Sequence, residues 1–249
     1  MKITKELAEI LGIFAADGSL QDNHICMWGN ITEDKEYYDN TICPIFSKVF
    51  NIKITAHEKK SNSVYGFYIC KRKIIEDFKR IGFTKNKTYT VTIPKIIKRS
   101  KNKEIIAAFI RGYADCDGCI DFLKRKGKYK EFKLKYNTYP RIWIVSASHK
   151  VIREISEKLD FLEISHKVNK KSSKRKYEAQ QLAIIIRGPE RVKSFIEKVG
   201  FNNPAQQTKY KIWAKFGMCP SKTTIKQRKL ILQGELNPFS LVKNGPDRI

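Results

Sequence analysis

Two aspartates stand in matching surroundings, and their carboxylates are suited to bind a cation. Asp17 and Asp117 each follow an apolar helical run, and each is followed by a glycine. Small residues recur at every fourth position of both runs, as Ala8, Gly12 and Ala16 and as Ala108, Gly112 and Cys116. Such rows let two helix backbones approach closely. The two helices are therefore expected to pack on each other in parallel and to bring both carboxylates to one end.

That end is the carbonyl end of both helices, where unpaired C=O groups and the helix dipole favour a positive charge. Two carboxylates there predict a hard divalent cation, Mg²⁺ or Mn²⁺, that keeps several waters and takes phosphate oxygens from a substrate. Each glycine after the aspartate is expected to end its helix at a positive φ. One Asp-Gly pair alone is explained by an ordinary helix stop, whereas the matched pair favours a site.

The chain carries a large excess of positive charge. Its 249 residues include 50 Lys and Arg against 25 Asp and Glu, a formal net charge of +25. Apolar residues make up 41% of the sequence, enough to bury a core, which excludes a disordered polycation. A charge of this size predicts a polyanionic partner, and nucleic acid is the first candidate.

The cysteines and the termini give weaker signals. The scattered pattern of the six cysteines is typical of free thiols in a reducing compartment. We therefore expect an intracellular protein of the cytoplasm or an organelle matrix. Cys116 and Cys119 form one CxxC without a second pair, which argues against zinc. The N-terminal run is interrupted by Glu6 and Glu9, which argues against a signal peptide, and no run reaches membrane length. We expect no membrane partner.

The sequence repeats itself once. Residues 7–20 match 107–120, and residues 64–88 match 181–209, in the same order. We therefore expect halves at 1–100 and 101–219, followed by a basic tail at 220–249 with a short helix. Each half is predicted to run helix, two strands, helix, two strands, helix, which is an α+β fold with antiparallel sheets. The strands are expected near 23–31, 52–58 and 64–70, and near 119–136, 141–147, 165–170 and 179–187.

The segments 10–18 (ILGIFAADG) and 110–118 (IRGYADCDG) resemble the two copies of the LAGLIDADG motif. Two copies about 100 residues apart are similar to the single-chain form of the LAGLIDADG homing endonucleases. The resemblance implies two pseudo-symmetric αββαββα halves, each a saddle-shaped antiparallel sheet with helices on one face. It also implies that the sheets lie along duplex DNA and that the enzyme hydrolyses both strands with a divalent metal.

The resemblance further implies roles for particular residues. Asp17 and Asp117 occupy the motif position that binds metal, and the preceding carbonyls of Ala16 and Cys116 also face the metals. Lys87 and Lys209 match a basic residue beside the acids, and Asn30 and Ser148 match an accompanying polar position. The motif's first aspartate, with a structural role, is present as Asp115 and replaced by Ala15. Arg111 replaces a small or apolar residue and is expected to face solvent or phosphate.

Specificity is expected to reside in the sheets, whose lysines would contact phosphates and whose arginines would read bases. The DNA-contacting candidates are Lys59, Lys60, Lys71, Arg72, Lys124, Arg125, Lys126, Lys128, Lys133, Lys135, Arg141, Lys170, Lys171, Lys174, Arg175, Lys176 and Arg187.

Other functions stay open. A monomeric, site-specific DNA endonuclease is the leading interpretation. The alternatives of the same fold are an RNA-binding intron maturase, with intron RNA as partner, and a DNA-binding regulator without cleavage. Retention of both aspartates favours the enzyme. A basic structural protein of a ribosome or nucleoid does not explain the duplicated helix ends, and the start at Met1 without splicing-type terminal residues argues against an intein.

Overall fold

The computed structural model describes residues 3–123, 138–171 and 179–241. The first half contains α1 (Lys5–Ala16), β1 (Gly18–Leu20), β2 (Ile25–Asn30), α2 (Lys35–Tyr37), α3 (Cys43–Phe50), β3 (His57–Lys59), β4 (Val64–Ile69), α4 (Arg72–Ile81) and α5 (Lys95–Lys98). A π-helical segment, Tyr38–Ile42, joins α2 to α3, and 3₁₀ turns lie at Lys60–Asn62 and Lys87–Tyr89.

The second half repeats this order and adds to it. It contains α6 (Lys103–Asp117), β5 (Gly118–Leu123), β6 (Tyr139–Ser146), α7 (His149–Phe161), β7 (Lys167–Lys171), β8 (Gln181–Arg187), α8 (Pro189–Lys198), α9 (Pro204–Phe216) and α10 (Ile225–Gln233), then a 3₁₀ turn at Pro238–Leu241. The sheets are antiparallel with orders β1-β2-β4-β3 and β5-β6-β8-β7. The predicted α+β class and the repeated order are confirmed.

The sheets bury one face because their strands alternate apolar and polar residues. In β6, Ile142 and Ile144 are fully buried, whereas Arg141 and Trp143 between them keep exposed surface. In β2, Ile25 and Met27 are fully buried in the same way. One continuous core of buried residues covers the inner faces of both sheets and both long helices.

Helices α1 and α6 form the centre of this core. Both begin at a side-chain cap: Thr4 accepts a hydrogen bond from the amide of Leu7, and Asn102 accepts from the amides of Glu104 and Ile105. Nearly every following residue of both helices is buried, so each is apolar all round as expected of a core helix.

The small-residue rows do bring the two helices together. A Cβ on Gly12 would overlap the carbonyl oxygen of Phe109 on α6, and a Cβ on Gly112 would overlap the carbonyl oxygen of Glu9 on α1. These reciprocal contacts require glycine because any side chain would separate the two backbones. The predicted close packing is confirmed.

The glycines after the aspartates do not have the conformation expected from the sequence. Gly118 is extended at φ −110° and ψ 163°, and Gly18 is absent from the described residues with positive φ. The prediction of a left-handed cap was wrong because strands β1 and β5 start directly at these glycines. Glycine is needed there for space: a Cβ on Gly18 would overlap Phe14, and one on Gly118 would overlap Ala114.

Helix α9 was missed by the sequence analysis, and the tail is more ordered than its composition indicates. Asn203 caps α9 by accepting a hydrogen bond from the amide of Ala205, with Pro204 in the first turn. Helix α10 packs on α9 and has a capping box between Thr224 and Gln227. The tail therefore extends the second half with its own small hydrophobic cluster around Ile212 and Ile231.

All six cysteines are free thiols. Within the described ranges, no helix combines the length and the apolar character needed to cross a bilayer.

Candidate active site at the ends of the two long helices

The two aspartates lie at the same end of the packed helix pair. Asp17 follows the last residue of α1, Asp117 is the last residue of α6, and both line one cleft of about 460 Å³. Ser19, Lys87, Tyr113, Ser146 and Gln181 are among the other residues that line it. The cleft therefore collects polar groups from both halves around the two carboxylates.

Burial and mutual repulsion act on the two carboxylates. Burial, and then repulsion by Asp117, raise the pKa of Asp17 to about 7 from an ordinary 3.8. Asp17 is nevertheless an exposed residue and lines the cleft. Burial also raises the pKa of Asp117, while the Tyr113 hydroxyl and the charge of Lys87 act in the opposite direction. Without a cation, the pair is held in an unfavourable electrostatic environment.

Lys87 lies beside the end of α1, as its predicted role requires. Its Nζ donates hydrogen bonds to the carbonyl oxygens of Ala15, at 2.7 Å, and Ala16, at 3.0 Å. The side chain is 9% exposed, and burial lowers its pKa while both aspartates raise it. The ammonium therefore neutralises part of the negative helix end, and it occupies the Ala16 carbonyl that the resemblance assigned to a metal.

The second half has no lysine at the equivalent place within the described ranges. Lys209 lies on α9, and the titratable groups that act on it are Arg228, Glu33, Cys119 and Cys219, without either cleft aspartate. The sequence expectation fails because residues 202–207 begin a new helix that carries Lys209 away. Asn203 takes the position instead: its Nδ2 donates to the carbonyl oxygen of Asp115 at 3.1 Å, which is the motif position of Ala15.

Asp115 holds the start of α9 against α6. Its carboxylate accepts hydrogen bonds from the amides of Asn202 and Asn203 and from the hydroxyl of Tyr37 at 3.1 Å. Burial raises its pKa to about 7, although these donors oppose the rise. This contact agrees with the structural role implied for the motif's first aspartate, and Ala15 has no side chain that could make it.

Arg111 does not face solvent or phosphate, so that expectation was wrong. Its guanidinium contacts the Glu9 carboxylate at 2.7 Å and 3.3 Å and the Val199 carbonyl at 3.2 Å. The sequence placed a cation on a buried helix, and the structure supplies Glu9 from the neighbouring helix as its partner.

Asn30 and Ser148 lie outside the cleft. The Asn30 side chain is exposed and accepts hydrogen bonds from the amides of Thr32 and Glu33, which shapes the turn after β2. The Ser148 hydroxyl is fully buried and donates to the Val91 carbonyl at 2.7 Å. Both residues therefore have structural contacts that the alignment of strand ends could not reveal.

The sequence analysis missed one cleft hydroxyl and one thiol beside the cleft. The buried hydroxyl of Tyr113 lies near Asp117 and Ser146 but has no hydrogen-bond partner of good geometry in the described structure. The Cys116 thiol interacts with Asp17. Tyr113 stands in the second motif where the first has Ile13, and this difference between the copies was the available signal.

The proposed DNA contacts are partly within the described structure. Lys59, Lys71, Arg72, Lys170, Lys171 and Arg187 are exposed, while Arg141 forms a two-point contact with Asp121 and lies 4.2 Å from the Trp143 ring centre. Candidates outside the described residues are Lys124, Arg125, Lys126, Lys128, Lys133, Lys135, Lys174, Arg175 and Lys176, and the side chain of Lys60 is likewise not described.

Comparison with known proteins connects the fold with the motif. A family model described as LAGLIDADG-like domain matches residues 104–200. The second half of the chain is therefore similar to a LAGLIDADG-like domain. The first half repeats its motif and its strand order, so the resemblance predicted from the two nonapeptides is confirmed.

Solved LAGLIDADG structures cover both halves. Mesophilic variants of the homing endonuclease I-DmoI are 13% identical with a TM-score of 0.52, over 78% of this chain and 90% of that one. The LAGLIDADG homing endonuclease I-LtrWI, bound to its target DNA, is 13% identical with a TM-score of 0.54, over 86% and 89%. At these identities the likeness establishes the two-half fold.

Three curated relatives contain a similar segment. They are the replication factor C small subunit of Methanocaldococcus jannaschii (26% identical over 207 residues), the replicative DNA helicase DnaB of Rhodothermus marinus (24% over 207 residues) and the A-type ATP synthase of Pyrococcus abyssi, in one of its subunits (29% over 120 residues). The matches cover 80%, 80% and 48% of this chain but 10%, 20% and 11% of those proteins.

Proposed function

We propose that this chain is a site-specific endonuclease that hydrolyses both strands of duplex DNA with a divalent cation. The observation that carries the proposal is the cleft in which Asp17 and Asp117, from matching ends of two packed helices, face one space. The net charge of +25 supports a nucleic-acid substrate, and the exposed face of each sheet offers a surface for it.

The donor set fits a hard cation such as Mg²⁺ or Mn²⁺. Both carboxylates have raised pKa values because of burial, with mutual repulsion as a further cause at Asp17. A cation between them would reverse this penalty. In the described ranges, no three His, Cys, Asp or Glu side chains cluster as a metal cage. The ion would therefore complete its shell with waters and phosphate oxygens, as Mg²⁺ commonly does.

The chain's own groups then have distinct roles. Asp17 and Asp117 would hold the cation, which, when bound, supplies an activated water and stabilises the leaving oxygen. Lys87 offsets the negative end of α1 and lowers the pKa of both carboxylates, so it favours the ionised pair. The unpartnered Tyr113 hydroxyl next to Asp117 is available to orient that carboxylate or a bound water.

The relatives support an activity of the similar segment that differs from the activities for which those proteins are named. The similar segment makes up 10% of the replication factor C small subunit, 20% of the DNA helicase and 11% of the ATP synthase subunit. We infer that a segment found in proteins with such different names has an activity of its own. Because one chain contributes both carboxylates, we propose that it acts as a monomer.

The same fold without cleavage, or with intron RNA as the ligand, is the competing function. Both carboxylates and Lys87 are retained in one cleft, and this arrangement favours hydrolysis over binding alone.

The test starts by finding the target. A randomised duplex library is bound by the purified chain in Ca²⁺, and the selected duplex is then offered with Mg²⁺. We expect cleavage of both strands by the wild type and a loss of at least about 10³-fold in Asp17→Asn and Asp117→Asn, with binding in Ca²⁺ retained. Asp22→Asn, which changes an exposed aspartate outside the cleft, should cut like the wild type.

Selection of a duplex that the wild type binds but never cuts in Mg²⁺ or Mn²⁺ would contradict the endonuclease and support a regulator. Preference for structured intron RNA over every duplex would support a maturase.

A further inference from the structure

A second cavity of about 470 Å³ lies where the two halves meet the C-terminal tail. Its wall includes Glu33 from the first half, Ile120 and Phe122 from β5, Lys209 from α9, and Lys222 and Arg228 from the tail. The two long helices do not contribute to this cavity, and the hydrolysis described above leaves it without a role.

Arg228 builds one wall and is itself buried, at 2% exposure. Its guanidinium donates to the Thr208 hydroxyl at 2.9 Å, to the Thr223 carbonyl, and to the Glu33 carboxylate at 3.2 Å. Helix α10 is thus fixed to α9 and to the first half. Because all three contacts use this one side chain, Arg228 is a structural part of the cavity and a permanent positive charge beside it.

Lys209 is the available cation of the cavity. It makes no hydrogen bond or ion pair with any described residue, although it is half-buried in the cavity wall. Burial, and then repulsion by Arg228, lower its pKa. A lysine ammonium in such a place is costly in the free protein, and an anion in the cavity would provide the missing partner.

The acidic groups of the wall already have partners. The Asp121 carboxylate is held by Arg141 at 2.8 Å and 2.5 Å, and Glu33 by Arg228. Lys222 is exposed on the tail segment and forms no ion pair within the described ranges. The cavity therefore has positive charge in excess, with the ammonium of Lys209 unmatched.

The cavity lies next to the exposed face of the second sheet. Asp121 of the cavity wall pairs with Arg141 of β6. The charges of Asp121, Lys209, Arg141 and Lys171 also act together on the thiol of Cys119 on β5. Ile120 is three residues beyond Asp117, a span of at most about 11 Å in extended chain. A duplex on this sheet with its cleaved bond at Asp117 would carry neighbouring backbone phosphates past the cavity.

We propose that this cavity binds a phosphate group through Lys209, with Lys222 and Arg228 adding to the field, and that its natural source is a backbone phosphate of the DNA substrate next to the cut. The identity of the source, a DNA phosphate, rests on the proposed function. The binding of a phosphate group rests on the charges of the cavity itself. The tail, joined to both halves through Arg228, would then take part in DNA binding.

The first experiment measures duplex affinity in Ca²⁺ against salt for the wild type, Lys209→Met and Lys211→Met. Lys211 is exposed on the same helix and does not line the cavity, so it is the matched control. We expect Lys209→Met to weaken binding about tenfold, as expected for one charged hydrogen bond, and to reduce the salt slope by about 0.9. Lys211→Met should change neither quantity by that amount.

The thermal midpoint of the free protein separates binding from folding. Lys209→Met should unfold at the same or a higher temperature than the wild type, because it removes a partly buried charge that has no partner among the described residues. A lower affinity together with a lower midpoint would indicate a structural lysine and would contradict the proposal. Lys222→Ala is a second variant. Because Lys222 is exposed on the tail segment, this substitution removes no buried contact.

Single methylphosphonate linkages, which are neutral, locate the phosphate along the duplex. One linkage near the cut should weaken wild-type binding about tenfold and leave Lys209→Met unaffected. Equal effects on both proteins at every position would overturn the assignment to the DNA backbone.

Inorganic phosphate alone supplies an arm that does not depend on DNA. If the wild type binds no duplex, the proposed function fails. The phosphate site still stands in that case if millimolar phosphate raises the thermal midpoint of the wild type but not that of Lys209→Met. No midpoint shift in the wild type together with no salt-slope change in Lys209→Met would overturn the phosphate site.

Discussion

The ends of the two long helices share one motif but are neutralised differently. At the end of α1, the charged Lys87 donates to the carbonyls of Ala15 and Ala16. At the end of α6, the neutral amide of Asn203 donates to the Asp115 carbonyl. The difference follows from the chain after each Gly-Phe: the first half forms a 3₁₀ turn that contains Lys87, and the second starts α9.

This difference teaches that duplication preserves the acids and the helix contact more strictly than the groups around them. The carboxylates sit at equivalent positions, and the reciprocal glycine contacts are the same in both directions. The basic residue is replaced on one side by a helix N-cap, and within the described ranges a lysine therefore supports one helix end and not the other.

Among the changes that test this difference, the largest effect is expected from removing the charge of Lys87. Lys87→Met should slow cleavage by about 10²- to 10³-fold, the usual loss for one electrostatic stabiliser, and should slow the two strands unequally. Strand-labelled duplexes followed in single-turnover reactions measure both rates. Lys209→Met should leave the ratio of the two strand rates unchanged, because Lys209 is outside the cleft. Equal slowing of both strands by Lys87→Met would contradict the claim that Lys87 supports one helix end and not the other.

The shared helix contact predicts a symmetric loss. Gly12→Ala and Gly112→Ala should each lower the free energy of unfolding by about 1–3 kcal/mol, because the new methyl meets backbone that cannot move aside. Chemical denaturation measures both values. A loss confined to one of the two variants would show that the halves do not pack through equivalent contacts.

Asp115 sharpens the contrast with Ala15. Asp115→Ala should cost about 1–3 kcal/mol of unfolding free energy, because the amides of Asn202 and Asn203 and the Tyr37 hydroxyl lose their acceptor. Asp160→Ala, at an exposed position on α7, serves as control in the same denaturation series. Unchanged stability in Asp115→Ala would mean that the cost of burying the carboxylate equals the value of its hydrogen bonds.

The smallest expected effect is a pH dependence of stability. Asp17 and Asp115 have pKa values raised to about 7 from 3.8, so the folded protein binds more protons than the unfolded chain between these values. Stability should therefore fall as pH rises from about 4 to about 7 and then level off. The pKa of Glu6 is lowered to about 2, so this carboxylate changes the stability at lower pH than Asp17 and Asp115 do.

Thermal midpoints across pH 4–8 measure this trend. Mg²⁺ should restore stability at pH 8 more than at pH 5, and Asp17→Asn should reduce the slope and the response to Mg²⁺. A rising midpoint between pH 4 and 7, or an equal Mg²⁺ response in Asp17→Asn, would contradict the paired-carboxylate site.

The sequence predicted the parts that depend on local pattern and repetition. The rows of small residues predicted the helix pair, and the internal repeat predicted the same order of elements in both halves. Long-range partners were out of reach: the pairing of Arg111 with Glu9 joins positions that no local pattern relates. The prediction for Lys209 was wrong for the same reason. Helix α9 begins in an insertion that the first half lacks, and only the tertiary packing of α9 decides where the lysine points.

The most direct test of the paired-carboxylate site is Mn²⁺ binding, followed by electron paramagnetic resonance, to the chain on an uncleavable duplex. We expect bound Mn²⁺ in the wild type and a marked loss of Mn²⁺ affinity in Asp17→Asn and in Asp117→Asn, with Asp22→Asn unaffected. Wild-type affinity in both cleft variants would contradict the claim that these two aspartates hold the catalytic cation.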